Sequence, residues 1–310
     1  MKVNLFGNKR VWLITAMIIL LAGCNQTTEN VEENDKIRVV STNTIIANLT
    51  DEIGGENITN ISLLKAGTDP HVYEPVPQDS IELEKADLIL YNGYNLEPNI
   101  IKLINSSGVT GQSLAVAEQV KPLDFEYEGQ KKPDPHVWGN VQNTIIMVES
   151  IRDKLIEIDP ENEAIFQQNS EQFIAELKEL DSWIKNQIAT IPVNQRQLIT
   201  SHDAFQYYAS AYGLEIPGTL IGISTEEQPS AQTVKNLVEI IRNTGVKAIF
   251  AETTINPTLI NTVAQEAGVN IAEGKLYSDS LGVKGGEADT YIKMLTTNTN
   301  SIVTALGKSE

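Results

Sequence analysis

Cysteine occurs once in the 310 residues, as Cys24, so no disulfide can form within the chain. Cations are scarce: 23 Lys and Arg face 41 Asp and Glu, a net charge of −18. A surface of that sign repels polyanions and excludes nucleic acid as a partner. Aromatic residues make up only 6% of the chain, few for a site that stacks sugars or amino acids. There is no HExxH helix motif and no GxSxG nucleophile elbow, which removes two common hydrolase signatures. The longest apolar run, Val11 to Leu21, is too short for a comfortable membrane span.

That run has a different meaning in its context. Lys2, Lys9 and Arg10 precede it, and Leu21-Ala22-Gly23-Cys24 closes it with small residues. Residues 1–23 therefore read as a secretory signal peptide, to be set aside from the fold. The closing tetrapeptide resembles the bacterial lipobox, whose cysteine is lipidated and becomes the mature N-terminus. Cys24 is then a lipid anchor at the outer face of the cytoplasmic membrane, and the alternative is an incidental free thiol. Residues 24–36 are polar and acidic without apolar period and read as a flexible tether.

From residue 37 onward, short β-rich runs alternate with amphipathic helical ones. "KIRVVST", "ITNISLLKA" and "DLILYNG" read as strands, separated by helices over "IIANLTDEIGG" and "PQDSIELEKA" and followed by one over "EPNIIKLINSSG". The alternation predicts a mostly parallel sheet covered by helices. Residues 161–191 break it: Ile165, Phe166, Phe173, Leu177, Leu180, Ile184, Ile188 and Ile191 fall mostly three or four apart, without proline or glycine before the end. One helix of about thirty residues follows, long for a crossover in a sheet. The rhythm then resumes with strands at "RQLITS", "LEIPGTLIG", "VKAIFAE" and "VNIAEG". Helices fall at "AFQYYASAYG", "SAQTVKNLVEIIRNTG", "NPTLINTVAQEAG" and "ADTYIKMLTTNTNSIVTALG". The predicted architecture is α/β: an N-terminal lobe over 37–160, a linking helix over 161–191 and a C-terminal lobe over 192–310. Ligands of such lobes bind beyond the carboxyl ends of the strands, often in the cleft between domains.

The three histidines are His71, His136 and His202, and two of them stand in the same tetrapeptide, "DPHV", at 69–72 and 134–137. Proline fixes its own φ and drives the preceding aspartate into an extended conformation, so each DPH is a stiff elbow that aims an imidazole. His202, in "LITSHDAF", lies just past a buried run, where Ser201 or Asp203 is placed to cap the next helix. A lone histidine is commonly a hydrogen-bonded structural residue. Three at strand-to-helix junctions of facing lobes can also converge, and neutral imidazoles at one point bind a divalent transition metal.

Five ordered segments carry a resemblance: "GTDPHVYEPVPQD", "PDPHVW", "TSHDAFQYYASAYGL", "GISTEEQPS" and "LYSDSLG". From about residue 37 the chain is similar to the metal-binding lipoproteins of bacterial manganese and zinc ABC transporters. The resemblance implies two α/β lobes holding one metal ion in the cleft, with ligands His71 and His136 from the first and His202 and Asp279 from the second. Many members have glutamate where this chain has His202. The implied function is a monomeric, lipid-anchored solute-binding protein that delivers Mn2+ or Zn2+ to a permease driven by a cytoplasmic ATPase, and not an enzyme. Three imidazoles and one carboxylate leave a divalent ion with net charge +1, suited to tight but releasable capture. Zinc outranks manganese at nitrogen-rich sites. The absence of a histidine-rich loop and the wording around His202 and Asp279 favour manganese as the cargo. The alternatives are a metal-dependent hydrolase and a surface adhesin, a role often attributed to such relatives.

Other residues rank lower. Asp69, Asp134 and Glu252 are candidates for carboxylates standing behind the imidazoles. Glu74 follows His71 by three, yet "EPVP" forbids a helix there. Glu226 and Glu227 read as a solvated loop, and Trp138 as packing.

Overall fold

The computed structural model describes residues 36–106, 112–127 and 130–307. The signal peptide, Cys24 and the tether up to Asp35 lie outside the described residues.

The first half builds a parallel sheet. Strands β1 (Ile37–Ser41), β2 (Ile58–Ser62), β3 (Leu88–Tyr91) and β4 (Gln112–Ala115) stand in the order β2-β1-β3-β4. Ile37 pairs with Ile58, Val39 with Leu88, and Leu88 with Gln112. The central strands are apolar on both faces because both faces are covered. Val39, Leu88 and Leu90 point into a large core with helix α1 (Thr44–Gly54), while Val40 and Ile89 point the other way. That second face is closed by Leu83 of α2 (Pro77–Glu84) and Ile100 of α3 (Pro98–Ser106). Asn43 starts α1 by accepting the Ile46 N–H at 2.9 Å.

An antiparallel hairpin of β5 (Asp124–Tyr127) and β6 (Gln130–Pro133) follows, and then α4 (Val141–Ile158). Neither is anticipated by the strand–helix reading. α4 has the helical spacing in Val141, Ile145, Val148, Ile151 and Leu155, all buried, and Asn140 caps it through the Gln142 N–H.

The long helix exists as α5 (Glu163–Ala189), 27 residues and about 40 Å at 1.5 Å per residue. Its buried stripe of Phe166, Phe173, Leu177, Leu180, Ile184 and Ile188 belongs to the same core as Val39 and Leu88, which also takes in Leu295 and Ile302. Ile165, expected on that stripe, faces outward at 40% exposure. The helix is long but polar on its outer side, and no helix of the described residues is long and apolar enough to cross a membrane.

The second half keeps the order of elements but not regular strands. Helices α6 (Gln206–Tyr212), α7 (Ala231–Thr244), α8 (Thr258–Ala267) and α9 (Tyr291–Leu306) form where their periodicity places them. Gly245 and Gly268 stop α7 and α8 in the left-handed region, at φ 64° and 74°. The paired strands shrink to β7 (Ala248–Ile249) and β8 (Asn270–Ile271), in parallel register. "RQLITS" and "LEIPGTLIG" meet only at the isolated bridges Gln197–Glu215 and His202–Ile221. Pro217, between those bridges, has no N–H to offer a ladder. Single bonds still align the segments, Phe250 N–H to Ile199 O and Leu276 N–H to Ala251 O, both at 2.9 Å.

Candidate metal centre

The repeated DPHV has a local explanation. Asp69 Oδ1 accepts the His71 N–H at 3.0 Å, and Asp134 Oδ1 accepts the His136 N–H at 2.9 Å. In both copies the aspartate side chain closes a turn over a proline that has no N–H of its own. The sequence thus writes the same turn twice, once after β2 and once after the β5–β6 hairpin.

In the second half, alignment of three segments does the positioning. The bridge between His202 and Ile221 fixes the end of one, and the bridge between Glu252 and Leu276 sets the next two side by side. Asp279 stands three residues beyond that bridge. Ser201 and Asp203 do not cap α6, contrary to expectation: its N-cap is Phe205 with no side-chain bond, and Asp203 accepts the Gln206 amide instead.

His71, His136, His202 and Asp279 come together, each at most 1% exposed, with one ligand atom apiece lying within 4.8 Å of the others. His71 Nε2 and His136 Nε2 are 3.2 Å apart. Asp279 Oδ1 is 3.5 Å from His136 Nε2, and Asp279 Oδ2 is 3.2 Å from His202 Nε2. A tetrahedral shell with bonds of about 2.0–2.1 Å has ligand–ligand edges of about 3.3–3.4 Å. Three of the donor separations therefore already stand at coordination spacing. Neither buried Asp279 oxygen has a well-formed hydrogen-bond donor among the described residues, although both face imidazoles. A divalent cation is the partner this donor set fits.

The outer groups differ in what they hold. Asp134 Oδ1 lies 2.8 Å from His136 Nδ1. Glu252 grips His202 twice, accepting its N–H at 2.8 Å and approaching Nδ1 with Oε2 at 2.5 Å. At His136, with Nδ1–H turned to Asp134, Nε2 keeps its lone pair for the centre. Asp69 works on the backbone: beside the His71 N–H it takes the Thr225 hydroxyl at 2.7 Å, a bond between distant parts of the chain. Trp138 is more than packing, since its Nε1–H donates to Ser278 O at 2.9 Å, next to Asp279.

The electrostatics separate the imidazoles. Burial, partly offset by Asp279, lowers His71 to about 3. Burial also opposes charge on His202, but Glu252 and Asp279 together outweigh it and raise His202 well above the usual histidine range. Burial would raise Asp279; the three histidines, His202 foremost, prevail and hold it far below the carboxylate range. A cavity of about 580 Å³ reaches the centre at His71, with Glu118, Glu226 and Glu227 also in its wall. The loop is solvent-facing as expected, with Glu226 exposed and Glu227 half-buried, and it also lines this cavity. Glu74 is away from the cluster, bonded to the Asn99 amide at 3.3 Å. Another cavity, of about 640 Å³, lies between β8 and α9 and none of the four residues lines it.

Comparison with known proteins agrees with this geometry. The family model for the periplasmic zinc-uptake complex component A, ZnuA, matches residues 39–305. The manganese-binding lipoprotein MntA of Halalkalibacterium halodurans is 33% identical over 299 residues, covering 96% of this chain and 98% of that protein. The manganese ABC transporter substrate-binding lipoprotein PsaA of Streptococcus pneumoniae is 34% identical over 304 residues, covering 96% and 97%. Among solved structures, the periplasmic zinc-binding protein TroA of Treponema pallidum superposes with a TM-score of 0.84 at 31% identity, over 88% of this chain and all of that one. The manganese-bound periplasmic metal-binding protein of Candidatus Liberibacter asiaticus gives 0.79 at 28%, over 87% and 100%. With a match that spans the chain from β1 to α9, this protein belongs to the ZnuA family, the metal-binding solute-binding proteins of ABC transporters.

Proposed function

We propose that this chain captures Mn2+ or Zn2+ outside the cytoplasm and hands it to an ABC permease. The ligands in this reading are Nε2 of His71, His136 and His202 and the carboxylate of Asp279. The observation that carries it is the convergence of those four buried donors within 4.8 Å of one another. Both Asp279 oxygens face imidazole nitrogens. A bidentate carboxylate would give an N3O2 shell, which suits manganese better than a strict tetrahedron. Manganese is the cargo in this reading, with zinc bound at least as tightly by the isolated protein.

The rest of the reading follows from this capture. Acyl chains on Cys24, two or more for stable anchoring, keep the protein at the outer face of the membrane. The lobes over 37–160 and 192–310 close on the ion, and α5, held within a shared core, limits the opening to a small amplitude. The loaded monomer docks on the permease and its ATPase. Catalysis has no place in it, because four protein ligands close the shell that a catalytic zinc leaves open.

Elemental analysis of protein purified without chelator, paired with competitive titration of manganese against zinc, tests the proposal. One equivalent of divalent metal per chain is expected. Protein that stays metal-free after exposure to either ion overturns it.

A further inference from the structure

Among the described residues Glu97 makes no hydrogen bond to the four converging residues, yet it is 1% exposed. It stands just before α3, where Oε1 accepts the Asn92 N–H at 2.6 Å and the Thr42 hydroxyl at 2.8 Å. Its Oε2 is buried without a hydrogen-bond partner among the described residues. That asymmetry is the pattern of a neutral carboxylic acid, in which the carbonyl oxygen gathers the donors and the other oxygen carries the proton. An ionised carboxylate would leave a bare charged oxygen in the interior, which is far more costly. Burial, against the bonds from Asn92 and Thr42 and with Glu118 adding repulsion, pushes the Glu97 carboxyl up to about 7.

The anchored residue reaches the centre. Asn92 Nδ2 donates to Pro135 O at 3.0 Å and to Gly93 O at 3.1 Å. Pro135 is the middle of the second elbow and, lacking an N–H, can be held by hydrogen bonding only through that carbonyl. Thr42 lies one residue past β1 and Asn92 one residue past β3, so one carboxyl joins the exits of two strands to the elbow that carries His136.

We infer that Glu97 is a positioning residue for metal capture: as a neutral acid it holds Asn92, and Asn92 holds the Pro135 carbonyl so that His136 meets the ion at a fixed angle. This rests on His136 being a ligand, which the metal content of the unchanged protein tests separately. The experiment compares Mn2+ affinity and metal-free melting temperature for the full chain and the variants Glu97→Gln, Glu97→Ala and Asn92→Ala.

Glu97→Ala and Asn92→Ala should each weaken Mn2+ binding by about tenfold, as outer-sphere losses do. The double variant should be no worse than either single one, because both act on one contact. Glu97→Gln keeps an acceptor for Asn92 and Thr42 and should stay within about twofold of the unchanged protein near pH 6. A raised acid destabilises the fold progressively from its unfolded value of 4.5 up to about 7, then no further. The melting temperature of Glu97→Gln relative to the unchanged chain should therefore climb by a few degrees between about pH 5 and pH 7.5 and then level. Additive losses, a Gln variant as weak as the Ala variant, or a flat melting difference would overturn the inference. If Glu97→Ala does not fold, Asn92→Ala decides, and unchanged affinity there also sinks it. Failure of the unchanged protein to bind metal would remove the ligand reading and leave the melting profile of Glu97→Gln still informative.

Discussion

Nε2 of His71 faces Nε2 of His136 at 3.2 Å, across 65 residues of chain and out of contact with solvent. Two imidazole nitrogens at that distance share at most one proton between them. One neutral ring can donate to the other, and a third nitrogen and a carboxylate are aimed at the same point.

In the proposed reading, replacing either of these rings with alanine removes a ligand and not merely its support. His71→Ala and His136→Ala should each lower Mn2+ affinity by more than about a hundredfold, beyond the range for outer-sphere groups. Competition against a chromophoric chelator reads the loss directly. Affinity within tenfold of the unchanged protein would take that residue out of the ligand set.

Glu252→Gln keeps an oxygen for the His202 N–H but loses the charge beside Nδ1. Metal affinity should fall by about 10–100-fold while the fold, read by circular dichroism, is retained. The His202 resonance in the metal-free protein should also titrate at lower pH than in the unchanged chain, since Glu252 is the leading charge raising it.

Proton competition is expected to be carried by His202. Its raised value means that at neutral pH it holds a proton the metal must expel, so affinity should drop by about tenfold per unit of acidification through the neutral range. A fall setting in only near 6.5, the ordinary histidine value, would correspond to unperturbed imidazoles. His71, lowered to about 3, is already neutral there and adds nothing. Isothermal titration in buffers of different ionisation enthalpy counts the released protons; none released would contradict histidine ligation.

The same shifts bear on the metal-free fold with opposite signs. A raised His202 stabilises fully below its unfolded value of 6.5 and loses that contribution as pH rises through its folded value. A lowered His71 makes stability fall as pH drops from 6.5 towards about 3, and lowered Asp279 stabilises above 3.8 and gives that up in stronger acid. Urea denaturation across pH, comparing the unchanged chain with His71→Ala, should show the His71 loss between those limits.

Thr225→Val deletes the hydroxyl that reaches Asp69 while keeping the side-chain shape. The lost bond should cost about 1 kcal/mol and lower the melting point by about 2 °C. Because Asp69 also holds the His71 N–H, metal should dissociate several-fold faster, with Thr225→Ser restoring the rate. An unchanged dissociation rate would separate this loop from metal retention.

Much of this protein was legible before any coordinates. The helices α1, α2, α3, α6, α7, α8 and α9 fall where apolar spacing and glycine stops put them, and α5 ends within two residues of the predicted 161–191. Reading failed where pairing decides structure. "RQLITS" and "LEIPGTLIG" are strand-like in composition, but a strand is defined by a partner, and Pro217 and the diverging segments deny them a continuous one. Glu97, Asn92 and Thr225 drew no notice because their importance lies in contacts 5 to 156 residues away.

The DPH elbows illustrate what the chain determines alone. In both elbows the aspartate closes the same turn over its proline, because φ restriction and an Asx hydrogen bond act over three residues; Asp159-Pro160, without the following histidine, opens a short 3-10 turn with no such side-chain bond. Only the tertiary structure could bring both elbows to His202 and Asp279, and only burial there could drive His71 down while two carboxylates draw His202 up. Local sterics are written in adjacent residues, whereas dielectric and charge proximity exist only once distant segments have met.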